Sequence, residues 1–332
     1  MKIVCIYHSI DLDGWMSAAI VKHWWQKAQG SYIQENNHIT NPNTGEDSID
    51  FIGYNYGQPI PDLSGYDKVI MVDISFPIDI MGNLYKNLSH NFLWIDHHIS
   101  AITDVFKWQQ ANISDSKFIY GSRDTAYAAC ELTWKYFFPE EQMPEIVRLL
   151  GRYDCFGHKG TNEEQKVLEF QYGARQCISN YQEAYDKLIE SFNDKLYNTG
   201  QYFDNALNQI YDKGKAIYQY LCTEAKQAYK NRFPLELYFS KESGLSPVRF
   251  VCINKERFNP INFGIDYHAD NYDGCACFHF ANGAWNFSLY NDNGKVDCSV
   301  IAKQFGGGGH KGAAGFLVTD INSIVRPEVN RF

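Results

Sequence analysis

Short apolar runs set the rhythm of the first hundred residues. Residues 2–7 (KIVCIY), 68–72 (KVIMV) and 91–95 (NFLWI) are almost continuously hydrophobic, and 49–54 is a further short run. Runs of this length without polar alternation predict strands buried on both faces, as in a parallel sheet. Residues 15–27 and 77–88 read as helices between them, so the pattern predicts βαβ units. Residues 28–48 are polar and rich in Asn and read as a surface loop. Further on, 124–138 and 144–153 read as helices. From 163 to 232 the sequence reads as helical, with 186–196 and 206–229 bridging two domains or wrapping the first. Strands then follow at 235–239, 249–253 and 276–280. Residues 285–290 and 294–296 read as a hairpin around Asn291–Gly294. A short helix at 300–304 and a last strand at 316–318 close the chain. The expected fold class is α/β. It has a parallel-sheet N-terminal domain with helices on both faces (1–160), a helical linker (161–232) and a smaller mixed α/β C-terminal domain (233–332).

The polar residues that end these runs carry the chemistry. The first strand leads into His8-Ser9-Ile10-Asp11-Leu12-Asp13-Gly14, the second into Asp73 and the third into Asp96-His97-His98. Ligands of open parallel sheets bind at the carboxyl ends of the strands. The topology therefore gathers His8, Asp11, Asp13, Asp73, Asp96, His97 and His98 on one edge. A single Asp capping a helix explains one of them and not the set. Like charges held together repel, and a divalent cation offsets them with oxygen and imidazole ligands. Asp154 follows a helix and reads equally as a turn residue or a ligand. Near the other end, Gly306 to Gly309 run into His310 and Lys311. Consecutive glycines let backbone N–H groups approach an anion, which favours phosphate contact over a plain loop.

Composition narrows the partners. With 332 residues and a hydrophobic fraction of 45%, two domains with real cores are the default. The net charge of −9 argues against a broad surface for long nucleic acid. Nine scattered cysteines suit reduced thiols in a cytoplasm. No signal peptide and no apolar run of transmembrane length is expected. His23, His158 and His268 read as surface or satisfied polar residues.

Taken in order, His8-x-x-Asp11-x-Asp13-Gly14, Asp73, Asp96-His97-His98 and Gly306-Gly307-Gly308-Gly309-His310 resemble the motifs of the DHH phosphoesterase superfamily. The last of them is similar to the glycine-rich signature of its C-terminal DHH-associated domain. The resemblance covers about residues 1 to 318. It implies a two-metal site, usually manganese, with Mg2+ or Co2+ as alternatives. His8, Asp11 and Asp73 would hold one ion, and Asp13, Asp73, His97 and Asp154 the other, with Asp124 the competitor of Asp154. Asp96 would orient a neighbouring imidazole, and His98 would face the substrate phosphate. Gly307, Gly308, Gly309, His310 and Lys311 would bind substrate from the second domain. Two features depart from the pattern. Only two residues separate His8 from Asp11, where many members have three. Tyr290 follows Ser288-Leu289 where many relatives carry an Arg, which shifts any nucleic-acid contact to residues such as Arg152, Lys303 or Lys311.

The expected activity is hydrolysis of a small phosphodiester or nucleotide, such as a short oligonucleotide or a dinucleotide, by metal-activated water. No long duplex DNA and no membrane is expected as partner, and the oligomeric state stays open. An inorganic pyrophosphatase or polyphosphatase is the alternative enzyme, and a non-catalytic nucleotide-binding module the alternative from another class.

Overall fold

The computed structural model describes residues 1–44, 46–112, 119–196, 205–237, 248–256 and 258–324. The chain divides into two compact units, Met1–Ile217 and Tyr218–Phe332.

The first unit is built on six strands: β1 (Lys2–His8), β2 (Ile33–Glu35), β3 (His38–Thr40), β4 (Ser48–Tyr54), β5 (Lys68–Val72) and β6 (Phe92–Ile95). Their order across the sheet is β2-β3-β4-β1-β5-β6. The four strands β4, β1, β5 and β6 are parallel, and β2 and β3 add an antiparallel edge. Because β4 lies on one side of β1 and β5 on the other, the winding reverses beside the carboxyl end of β1. That is where open α/β sheets bind ligands.

Helices cover both faces. On one face, Ala18, Val21 and Trp25 of α1 (Leu12–Gln29) pack with Leu132 of α4 (Ala129–Phe137) on Ile3, Cys5, Ile70 and Ile95. On the other, Met81 of α2 (Ile78–Leu88) and Val105 of α3 (Ile99–Asn112) cover Val4, Ile6, Met71 and Trp94. A strand with apolar side chains on both sides must be covered on both sides, so the continuous runs already dictated this layering.

Several expectations need correction. The loop expected over 28–48 contains the hairpin β2–β3. Its strands have three residues each and a mostly exposed, polar composition, too short to show a period. Helix α3 was not foreseen. Helix α4 starts at Ala129, because Asp124 accepts the Ala126 N–H at 2.9 Å in a preceding turn. The stretch expected as a linker is instead largely core of the first unit. Val167 and Phe170 of α6 (Glu164–Ala174) and Ala184 and Leu188 of α7 (Tyr181–Leu196) pack with Ile146 and Leu150 of α5 (Glu145–Asp154). The division falls inside α8 (Asn205–Lys230).

The second unit carries a sheet of order β11-β12-β10-β9-β8-β7. Its strands are β7 (Phe233–Leu237), β8 (Val248–Asn254), β9 (Gly274–Ala281), β10 (Ala284–Tyr290), β11 (Gly308–His310) and β12 (Ala313–Val318), with α9 (Cys298–Gln304) packed on one face. Only the β8–β9 pair is parallel. Residues 238 and 239 of the strand expected at 235–239 lie outside the described residues. The hairpin expected around Asn291–Gly294 forms elsewhere, as β9 and β10 joined at Asn282-Gly283 with φ of 54° and 78°. Two left-handed residues in a row make the tight turn that matches strand twist. Residues 291–294 instead form a loop stitched by Asn291, which is 3% exposed and bonds the Asp273 carbonyl, the Asn293 carboxamide and the Gly294 N–H.

The glycine run is also more ordered than a loop. Its last two glycines and His310 form β11, an edge strand on β12. A side chain at Gly307 would strike the Gly315 carbonyl and Phe316, and Gly309 has φ of 136°. Gly308 faces open space. Gly307→Ala is therefore expected to destabilise the second unit by about 1–3 kcal/mol, while Gly308→Ala leaves thermal unfolding nearly unchanged. Equal melting temperatures for the two variants would refute this packing role.

All nine cysteines are unpaired. Among the described residues, no helix is long and apolar enough to cross a membrane.

Candidate metal centre

The site is assembled by three strand ends and two helix ends. His8 closes β1, and Asp11 then caps α1 by accepting the Gly14 N–H at 3.0 Å. Any side chain at Gly14 would collide with the His8 carbonyl, so the glycine lets the turn fold back on the strand. Asp13, in the first turn of α1, accepts the Ala129 and Cys130 N–H groups at 2.9 and 2.7 Å and so also caps α4. Asp73 follows β5 with φ of 60°, a left-handed conformation that a short polar side chain tolerates. Asp154 ends α5.

These side chains converge. His8 Nδ1 lies 2.8 Å from Asp11 Oδ2 and 3.4 Å from Asp73 Oδ2, in neither case aligned as a hydrogen bond. His97 Nε2 lies 3.2 Å from Asp154 Oδ2, 3.5 Å from Asp73 Oδ1 and 3.7 Å from Asp13 Oδ2. His98 Nδ1 is 3.9 Å from Asp73 Oδ1. Three triads result, His8-Asp11-Asp73, Asp13-His97-Asp154 and Asp73-His97-His98, each with ligand atoms within 4.8 Å of one another. Asp73 belongs to two of them. It is 1% exposed, and its Oδ1 accepts no hydrogen bond. A buried carboxylate oxygen left so, among imidazole nitrogens and further carboxylates, fits a divalent cation.

Asp96 does different work. Its Oδ1 accepts the backbone N–H of His97 at 2.7 Å and of His98 at 3.1 Å, and lies 2.7 Å from His98 Nδ1. It fixes the His-His turn and one imidazole. Asp124 takes part in none of the triads.

Without a cation the cluster holds protons. Burial and the nearby Asp73 push Asp13 up to about 7; burial and Asp13 do the same for Asp154. Burial opposes the imidazolium of His8, but Asp11 and Asp73 outweigh it and carry the group up to about 10. His97 rises to about 10 in the same way, through Asp73, Asp13 and Asp154. Burial of Asp96 is outweighed by His98, which holds the carboxyl below its ordinary value.

Sequence reasoning missed several supports. The Arg152 guanidinium pairs with the buried Glu131 and bonds the Ala126 carbonyl, so it braces α4 against α5. Of the two readings of His158, surface or hydrogen-bonded polar residue, the second holds at Nδ1. His158 is 2% exposed and stacks on Tyr153, with its Nδ1 on the Arg152 carbonyl. His23 sits among Trp134, Phe138 and Phe192. A histidine outside any motif gives no sequence signal of such burial. In the second unit, His310 lies in β11 and Lys311 in the turn that joins it to β12.

No family model matches the chain. It is 23% identical over 340 residues to the uncharacterised protein R106 of Acanthamoeba polyphaga mimivirus, which covers 97% of this chain and 69% of that protein. Several solved structures are similar to this chain over most of its length. An exopolyphosphatase-related protein from Bacteroides fragilis matches 95% of this chain and 86% of its own, at 13% identity and a TM-score of 0.46. A pGpG-specific phosphodiesterase, PggH, from Vibrio cholerae matches 97% of this chain and 94% of its own, at 10% identity and a TM-score of 0.38. Exonuclease RecJ bound to manganese matches 95% of this chain and 85% of its own, at 13% identity and a TM-score of 0.39. Likenesses this distant assign no activity to this chain.

The proton inventory gives a sign. In the metal-free protein, Asp13 and Asp154 hold protons up to about pH 7 that the unfolded chain has lost. Their contribution to stability therefore falls as pH rises from about 4 to 7. His8 and His97 stay charged up to about pH 10, so the stability they add is full below their unfolded pKa and fades above it. With chelator present, the melting temperature of the first unit is expected to fall between pH 5 and pH 8. Divalent cation is expected to raise it again and to release protons at pH 7, seen as a buffer-dependent binding heat. A buffer-independent heat would overturn this reading.

Proposed function

We propose that this chain is a metal-dependent phosphodiesterase that cleaves a small nucleotide substrate, a short oligonucleotide or a dinucleotide. One observation supports the reading above the others. The buried carboxylate of Asp73 lies between His8 on one side and His97 and His98 on the other. A carboxylate so placed suits a bridge between two ions. On this proposal His8, Asp11 and Asp73 hold one ion, and Asp13, Asp73, His97 and Asp154 the other. Mn2+ is the proposed metal, and Mg2+ or Co2+ suits the same donors. Bound there, the ions supply positive charge to the phosphoryl oxygens and acidify an attacking water.

The chain's own groups do the rest. Asp96 accepts a hydrogen bond from His98 Nδ1–H, so the other ring nitrogen is set to meet a phosphoryl oxygen. Its hydrogen bond favours the charged imidazole, and burial of both groups strengthens the pairing. We further propose that Gly307, Gly308, Gly309, His310 and Lys311 take a substrate phosphate. β11 is the first strand of its sheet and pairs with β12. The negative net charge disfavours long duplex DNA, and unpaired cysteines suit a cytoplasmic location.

Hydrolysis of a dinucleotide, a cyclic dinucleotide, a five-nucleotide RNA, pyrophosphate and polyphosphate under manganese tests the reading. Cleavage of a nucleotide is expected, reduced roughly 10³-fold or more by Asp73→Ala and about 10²–10⁴-fold by His98→Ala. Cleavage of pyrophosphate alone would move the chain to the pyrophosphatases. Metal binding without turnover would make it a nucleotide-binding module.

A further inference from the structure

We propose that a cavity beside the carboxylates, wholly within the first unit, is a nucleoside pocket in which the Gln171 carboxamide reads the bound group. The proposal rests on the phosphodiesterase reading and adds to it the part of the substrate that is recognised. The cavity has a volume of about 320 Å³. Asp11, Asp13 and Asp154 line it together with Gln171, Arg175 and Ser179. A phosphate held by cations at these carboxylates thus has the same cavity open to its attached nucleoside. The volume is at the lower limit of small-molecule sites, about 300–1,000 Å³, which suits one nucleoside and not two.

Gln171 supplies the independent observation. It is 6% exposed, and its carboxamide oxygen accepts no hydrogen bond. Leaving such an acceptor buried costs about 1–3 kcal/mol, and an N–H or O–H of a ligand in the cavity would satisfy it. The walls are suited to a flat ring. Trp15 and Tyr153 line the space, and Tyr153 is backed by His158, with ring centres 5.5 Å apart and planes 6° from parallel. Arg175 lies 5.4 Å from the Tyr153 ring and 5.1 Å from that of Tyr172, which holds a planar donor at the rim.

The test uses the full chain loaded with manganese. GMP, AMP, CMP, UMP and ribose 5-phosphate are titrated while tryptophan fluorescence is followed. At least one nucleotide is expected to bind about tenfold tighter than ribose 5-phosphate, as one buried hydrogen bond and a stacked ring allow. Gln171→Met should collapse that preference to less than about threefold. Ser179→Trp, at the exposed rim, should do the same by filling the mouth, which covers the case in which Gln171→Met fails to fold. Equal binding of nucleotides and ribose 5-phosphate by the wild type, or a preference kept in a folded variant of either kind, would overturn the pocket. The hydrolysis panel separates the two readings. Nucleotide selectivity without turnover keeps the pocket and discards the phosphodiesterase, and turnover without selectivity does the reverse.

Discussion

Carboxylates crowded at the ends of parallel strands are the constraint around which the first unit is arranged. Asp11, Asp13, Asp73 and Asp154 lie within reach of three imidazoles, and Asp13, Asp73 and His97 are buried. Such a set is costly in low dielectric unless opposite charge or donors surround it. The fold supplies what a chain can supply by itself. The Gly14 N–H faces Asp11, and the N–H groups that begin α4 face Asp13. Asp73 has no comparable support at Oδ1. The residual imbalance is what turns an arrangement of caps into a centre suited to a cation.

The sheet and the site were legible to different depths, for physical reasons. Strands β1, β5 and β6 are buried on both faces, so their hydrophobic runs are continuous and their ends are visible as the first charged residue. That places His8, Asp73 and Asp96 on one edge without any knowledge of side-chain geometry. Asp154 was ambiguous because a helix end and a ligand look alike in sequence, and only the packing of α5 brings it to 3.2 Å from His97. The hairpin β2–β3 was invisible because three-residue polar strands have no period to read. The helices 164–174 and 181–196 were visible as helices, but their membership in the first core was not. Membership depends on which apolar face meets Ile146 and Leu150.

The second unit shows a different failure. Two Asn-Gly pairs lie eleven residues apart, at Asn282-Gly283 and Asn293-Gly294. The local signal is the same at both. What separates them is register: the first pair joins strands of eight and seven residues that match along their length, while the second is drawn into contacts of Asn291. The order of the glycine run has a related cause. Backbone freedom in the unfolded chain says little about the folded one when neighbouring strands leave no room for a Cβ.

The left-handed backbone at Asp73 has an evolutionary consequence. Asn and Gly adopt φ of 60° with little strain, but each removes the charge that the proposed centre uses. Glu keeps the charge but loses the short side chain that suits this conformation, and its added methylene moves the carboxylate away from the place where three imidazoles meet it. Neutral drift at this position is thus narrow from both directions. A lineage that relaxed its need for the chemistry would be free to record the loss here early, while the surrounding strands, held by packing alone, stayed readable for much longer.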